Sequence, residues 1–182
     1  MIGMAHLIRF TLSDRTMVTM REHAEMKCLG HGSRIYGKEF TEEELFEWQL
    51  IGCICAYAVT YKLTGSTHLY YKHIEDTGGK PVGDGGTDIP GARVDVKGSL
   101  IRANLGPLGH HLLVRPEEYH KDTLYVQSLV KSYSESEASG WIIGMMESWE
   151  IPSHNRPKEK FGNAYAVPCK MLHSFPRIRW ER

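Results

Sequence analysis

Apolar residues recur at helical intervals most clearly between residues 41 and 65. Thr41 precedes glutamates at positions 42, 43 and 44, and this order predicts an N-cap, a capping box with Glu44 and a favourable first turn. Gly65 follows the last apolar position and predicts the end of the helix. Because apolar residues cover most of its circumference, we expect the 41–64 helix to be largely buried.

Much of the rest of the chain has the two-residue alternation or the short apolar runs of β-strands. Such segments lie near residues 67–71, 94–97, 112–115, 124–130 and 140–145. A further helix is expected from about residue 11 to residue 28. These elements predict an α/β (α+β) fold, a single domain with a mixed β-sheet on which the 41–64 helix packs. Within residues 1–182 we expect a helical appendage at 1–40, a core at 41–175 and a basic tail at 176–182.

Composition adds few constraints. The chain has 182 residues, which suits one domain, and its formal net charge is zero. No overall electrostatic field therefore attracts it to nucleic acid, so such binding would need a local patch or a metal ion. No run approaches the roughly 18 apolar residues of a membrane span. The four cysteines lack zinc-site spacing. We expect a cytoplasmic protein with reduced thiols and no membrane partner.

The strongest chemical signal is an aspartate, a Pro-Gly turn and then Asp-Val-Lys. Val94 and Val96 alternate with Asp95 and Lys97, so the valines should face a core while Asp95 and Lys97 share the other face. Asp88 would reach the same place from the other arm of a hairpin. Two carboxylates and a lysine at one sheet edge are suited to binding a divalent metal ion and a phosphodiester.

The residue types suit Mg²⁺ or Mn²⁺, which prefer oxygen ligands. Asp88 and Asp95 would supply two ligands and the Val96 carbonyl a third. Lys97 would orient the attacking water, help to deprotonate it or stabilise charge on the transition state. The alternative is a solvated cross-strand pair of Asp and Lys, which contributes little energy.

Four polar residues flank this motif and are candidates for DNA phosphate contacts. They are Arg93, Ser99, Arg102 and Asn104. Each could equally be an ordinary solvated strand residue.

The order of elements around the motif resembles that of PD-(D/E)xK nucleases, and more closely that of small nuclease-like proteins of bacteriophages. The similar stretches are Gly52–Ala58, Asp88 with Asp95-Val96-Lys97, His111–Pro116 and Gly140–Gly144. The resemblance implies a restriction-endonuclease-like core and a Mg²⁺- or Mn²⁺-dependent endonuclease that hydrolyses DNA. A homodimer is a further expectation, because cleavage of a duplex needs two sites.

One position departs from the family pattern. Where such proteins usually have a glutamate on the helix, this chain has Ala56, and Gln49 and Thr60 on the same face supply no charge. Three explanations stay open: a site with two acids, a degenerate fold that only binds DNA or a protein, or an engineered inactivating change. A structural virion or assembly protein is a third functional class.

Overall fold

The computed structural model describes residues 2–30, 34–35, 38–77, 88–89, 91–102, 104–154 and 163–176. The expected basic tail and most of the Gly-rich segment before Asp88 lie outside these residues. In chain order the elements are β1 (Ile8–Leu12), α1 (Asp14–Gly30), β2 (Arg34–Ile35), β3 (Lys38–Glu39), α2 (Glu42–Thr64), α3 (His68–Thr77), β4 (Val94–Leu100), β5 (His111–Val114), β6 (Leu124–Tyr133), β7 (Ala138–Glu147), α4 (Ile151–His154) and β8 (Tyr165–Pro168).

A mixed four-stranded sheet organises the chain, with strand order β1-β7-β6-β4. The β1–β7 and β6–β7 pairs are antiparallel, whereas β4 runs parallel to β6. Strands β1 and β4 are therefore the two edges of this sheet. Strands β5 and β8 form a separate antiparallel pair.

The sheet is covered on both faces. Helices α1 and α2 pack on one face, where the apolar cluster includes Met17, Ile54 and Val126. A second cluster, with Leu112 of β5 and Val167 of β8, covers the other face. The molecule is thus a single α+β domain with a mixed sheet and a long buried helix, which confirms the predicted fold class.

Helix α2 forms as its sequence predicts. The Thr41 hydroxyl accepts a hydrogen bond from Glu44 N at 3.1 Å, and the Glu44 carboxylate accepts one from Thr41 N at 3.0 Å. At the other end, Gly65 adopts a left-handed conformation with φ of 70° and donates to the Tyr61 carbonyl. Eleven of its residues are buried, which confirms the expected burial.

The strand predicted at residues 67–71 is wrong, because this segment begins helix α3. The Ser66 hydroxyl accepts a hydrogen bond from His68 N, the first residue of the helix, at 3.1 Å. Tyr70 is then buried and its ring packs against Tyr57 of α2. Tertiary packing of the aromatic rings outweighs the strand preference of tyrosine.

The N-terminal region is not a helical appendage. Strand β1 pairs with β7 from Ile8↔Ile142 to Leu12↔Ala138 and forms one edge of the central sheet. Helix α1 packs against α2, and its Met17 and Met20 are fully buried. Residues 8–30 are therefore part of the core.

None of the helices in the described residues is long and apolar enough to cross a membrane.

Two glycines in this core should respond oppositely to alanine. A Cβ on Gly52, inside α2, would meet open space, whereas a Cβ on Gly140 of β7 would clash with the Leu129 carbonyl and lie 2.6 Å from the Phe10 ring. Gly52→Ala should raise the free energy of unfolding by about 0.5–1 kcal/mol. Gly140→Ala should lower it by about 1–3 kcal/mol through overpacking. Urea denaturation of both variants measures these changes, and a destabilised Gly52→Ala would contradict the described packing of α2.

Candidate functional site

Strand β4 places its acidic and basic side chains on one face of the sheet. In the parallel register with β6, Asp95 lies opposite Tyr125 and Lys97 lies opposite Gln127. Tyr125 belongs to the cluster beside β5 and β8, whereas Val94 and Val96 belong to the cluster beside the helices. The predicted alternation is therefore confirmed, although Asp95 is far more buried than a surface strand residue, with 6% of its surface exposed.

Asp88 reaches the edge of β4 through a tight turn. Gly91 has a φ of +76°, Ile89 and Ala92 form an isolated antiparallel bridge, and Asp88 N donates to the Val94 carbonyl at 2.8 Å. The Asp88 carboxylate then accepts a hydrogen bond from Val96 N at 2.6 Å. In place of the expected hairpin the structure has a single turn before β4, because β4 pairs along its whole length with β6.

The Val96 backbone points to the same edge as Asp88. Within a strand, the N–H and C=O of one residue point to the same side. Because Val96 N bonds to Asp88, the Val96 carbonyl also lies on the side of β4 away from β6. Asp88 and the Val96 carbonyl therefore share one edge, next to the face that carries Asp95.

The Lys97 ammonium lies between two carboxylates. It is 3.0 Å from Asp95 Oδ2 and 3.0 Å from Glu118 Oε2. The other Glu118 oxygen, Oε1, is 3.1 Å from Arg115 Nη1. Charges of alternating sign thus follow one another across this face, in the order Asp95, Lys97, Glu118 and Arg115. The sequence predicts the first two as site residues, and the structure adds Glu118 and Arg115 beside them.

Sequence reasoning missed Glu118 because its partner is distant along the chain. It lies in the short 3-10 turn Pro116–Glu118, 21 residues after Lys97. The local signal is only an Arg115–Glu118 pair around a turn-forming Pro116. No local pattern shows that this turn packs over the Asp95 face.

The environment changes the pKa of both charged residues of the motif. Burial raises the pKa of Asp95 to about 7, and the nearby charge of Asp88 adds to the increase, while Lys97 opposes it. Burial alone would lower the pKa of Lys97, but Asp95 and Glu118 outweigh it and hold that pKa above its usual value. Lys97 is therefore a cation at neutral pH, whereas Asp95 titrates there.

Ala56 lies inside the apolar cluster between α2 and the sheet, with 5% of its surface exposed. Gln49 and Thr60 on the same stripe of the helix are also buried. Helix α2 packs on the face of β4 opposite Asp95, and a Cβ on Gly98 would lie 3.0 Å from Cys55 Sγ. The described part of α2 therefore brings no acid toward Asp95, since its glutamates all lie in the first six residues.

The four candidate phosphate contacts do not form one cluster. Arg93 is exposed and pairs with exposed Asp122 at 3.1 Å. Ser99 Oγ accepts from Gln127 Nε2 at 3.4 Å, while Arg102 and Asn104 are exposed beyond the end of β4. Because β4 has seven residues and spans roughly 20 Å, Arg93 and Arg102 lie at opposite ends of the motif.

The oxygen atoms at this edge are of the chemical type that Mg²⁺ or Mn²⁺ prefers. Among the described residues, the hydrogen bond of Asp88 and the ion pair of Asp95 both use Oδ2, which leaves Oδ1 of each carboxylate for a ligand. Mg²⁺ is often bound by one or two carboxylates and several waters. A cage of three or more His, Cys, Asp or Glu side chains is not found among the residues that the structure describes.

The raised pKa of Asp95 predicts a pH-dependent stability of the metal-free protein. Since the folded state holds this proton up to about pH 7 and the unfolded chain releases it near its ordinary value, the contribution of Asp95 to stability is lost as pH rises from about 4 to about 7. Urea denaturation in EDTA between pH 4 and pH 8 should show this loss in the wild type. In Asp95→Asn the slope should be shallower, and an unchanged slope would contradict the described burial of Asp95.

No family model, curated protein or solved structure matches this chain. The comparisons therefore show no family, and the candidate site depends on the geometry of its own residues.

Proposed function

We propose that this protein is a Mg²⁺- or Mn²⁺-dependent deoxyribonuclease, an endonuclease that hydrolyses DNA phosphodiester bonds at the edge of β4. The observation that carries the proposal is the convergence of Asp88, buried Asp95 and Lys97 on this one edge. A solvated Asp–Lys pair on a strand would not need a buried carboxylate. The sequence resemblance of the Asp88 and Asp95-Val96-Lys97 motif to PD-(D/E)xK nucleases, with their restriction-endonuclease-like core, agrees with this function, although the strand expected before the motif is helix α3.

Asp88, Asp95 and the Val96 carbonyl would hold the cation. When bound, Mg²⁺ or Mn²⁺ acts as a Lewis acid on the phosphate and lowers the pKa of a bound water. Asp88 is fixed for this role because Val96 N binds its other oxygen. Asp95 would bind the cation only as a carboxylate, and burial raises its pKa to about 7 in the metal-free protein.

Lys97 would stabilise charge rather than accept a proton. Its pKa is raised by Asp95 and Glu118, so the ammonium stays protonated at neutral pH and is a poor general base. A fixed ammonium beside the scissile phosphate would favour the more highly charged transition state. Of the three roles that the sequence left open for Lys97, we therefore favour stabilisation of the transition state over deprotonation of the water.

DNA would extend along β4 across both of its ends. Arg93 at one end and Ser99, Arg102 and Asn104 toward the other would contact phosphates that are well separated along the bound DNA. The protein would act in the cytoplasm, which for a phage protein is that of the host. A homodimer would place two such sites on the two strands of a duplex.

The second candidate is a non-catalytic module that binds DNA or a protein through the same fold. The observation that favours it is Ala56, which is buried among apolar residues where the nuclease family has an acid.

Cleavage assays separate these two functions. Supercoiled, linear and single-stranded DNA should be cut by the wild type in Mg²⁺ or Mn²⁺ but not in EDTA. Lys97→Ala and Asp95→Asn should each lower the cleavage rate by about a hundredfold or more, because a charge that acts on the transition state is lost. Lys72→Ala and Asp76→Asn, which remove exposed charges of the same type on α3, are the matched controls.

Circular dichroism and thermal unfolding of each variant show whether its fold is retained. Metal-dependent cutting that persists in Lys97→Ala would contradict the assigned site. Folded wild-type protein that cuts no DNA form, but still binds DNA, would favour the non-catalytic module.

The position of Ala56 predicts that an acid there damages the fold. Ala56→Glu would bury a carboxylate in the apolar cluster beside α2, so we expect the free energy of unfolding to fall by about 3–5 kcal/mol. Ala56→Gln, which has nearly the same size without the charge, separates overpacking from charge burial. A stable Ala56→Glu protein with faster metal-dependent cleavage would show instead that the helix acid is the missing part of the site.

A further inference from the structure

Two carboxylates from different parts of the chain hold the Lys97 ammonium. Asp95 lies two residues before it on β4, whereas Glu118 arrives from the Pro116–Glu118 turn, 21 residues further along. Both oxygens lie 3.0 Å from Lys97 Nζ. The lysine therefore has one partner within the motif and one outside it.

Glu118 is itself fixed from several sides. Its Oε1 is 3.1 Å from Arg115 Nη1, and its Oε2 also accepts from Arg115 N at 3.4 Å. Its carbonyl accepts a hydrogen bond from the Tyr125 hydroxyl at 2.9 Å. Because Tyr125 lies opposite Asp95 in the sheet, this turn is tied to the strand beside the site.

The Lys97–Glu118 pair is sheltered from water. The side chains of Lys97 and Glu118 are 21% and 20% exposed, compared with 67% and 80% for the surface pair Arg93–Asp122. Ion pairs in such partly buried positions are less screened by solvent and salt than surface pairs. Loss of one partner would leave the other charge poorly solvated.

We propose that Glu118 is a positioning residue that holds the Lys97 ammonium against the scissile phosphate. This inference rests on the proposed nuclease function. There, Asp95 is shared between Lys97 and the cation, so it is an incomplete anchor for the lysine during the reaction. Glu118 is outside the set of residues proposed to bind the cation, and the contacts of its turn with Arg115 and Tyr125 would keep the ammonium in place. The second carboxylate that binds Lys97 thus belongs to the Pro116–Glu118 turn after β5, and not to helix α2.

A residue that acts through Lys97 has an effect only while Lys97 is present. Glu118→Gln should lower kcat by about tenfold to a hundredfold, since a small displacement of a catalytic group costs that much, with KM for DNA within about twofold. In a Lys97→Ala background the same change should cause no further loss. Glu117→Gln, an exposed neighbour on the same turn, is the matched control and should behave as the wild type.

A second measurement reads the lysine directly and does not depend on cleavage. In a ¹H–¹⁵N NMR spectrum recorded for lysine ammonium groups, Lys97 should give a slowly exchanging signal in the wild type and in Glu117→Gln. That signal should be lost in Glu118→Gln. Its assignment follows from its absence in Lys97→Ala.

The outcomes separate this inference from the proposed function. A Lys97 signal that survives in Glu118→Gln, or losses of activity that add in the double variant, overturns the positioning role of Glu118. A wild type that cuts no DNA overturns the nuclease proposal. Loss of the Lys97 signal in Glu118→Gln would even then support the inference that Glu118 fixes the position of the Lys97 ammonium.

Discussion

The ammonium of Lys97 is the charge on which the candidate site depends. Asp95 is buried on the sheet face and Glu118 is folded over it, and both point an oxygen at the same lysine. Two carboxylates so close together would repel each other in a medium of low polarity. The lysine therefore makes it feasible to bury acidic groups here, and the acidic groups in turn keep the lysine protonated.

The parallel pairing of β4 with β6 explains why these groups meet. A parallel connection must cross over one face of the sheet, and the chain between Leu100 and Leu124 does so while carrying β5 and the Pro116–Glu118 turn. The edge of β4 away from β6 stays open to Asp88, which binds Val96 N with its side chain. The parallel pairing of β4 with β6 thus explains both why the Asp95 face is covered by the Pro116–Glu118 turn and why the opposite edge of β4 is accessible to Asp88.

Local patterns were enough to predict α2, its capping residues and the alternation of β4, because these depend on neighbours within four or five residues. They also predicted that Asp95 and Lys97 share one face of the strand and that Asp88 lies beside it, as the structure shows. The partners of β4 and the placement of Glu118 depend on contacts over 20 residues or more, which no periodicity reveals. The segment at Tyr70 was predicted wrongly for a related reason, since its helix is stabilised by rings from α1 and α2.

The close approach of α2 to β4 at Gly98 has a consequence for how this site can vary. The strand has no side chain at that point, and the space a methyl group would take is bounded by Cys55 and the Ile51 carbonyl. A residue larger than glycine at position 98, or a bulkier one at position 55, would require Cys55 or the backbone of α2 to shift by a few tenths of an ångström or more. The spacing between α2 and β4 therefore restricts which residues fit at positions 98 and 55, although neither Gly98 nor Cys55 bears a charge.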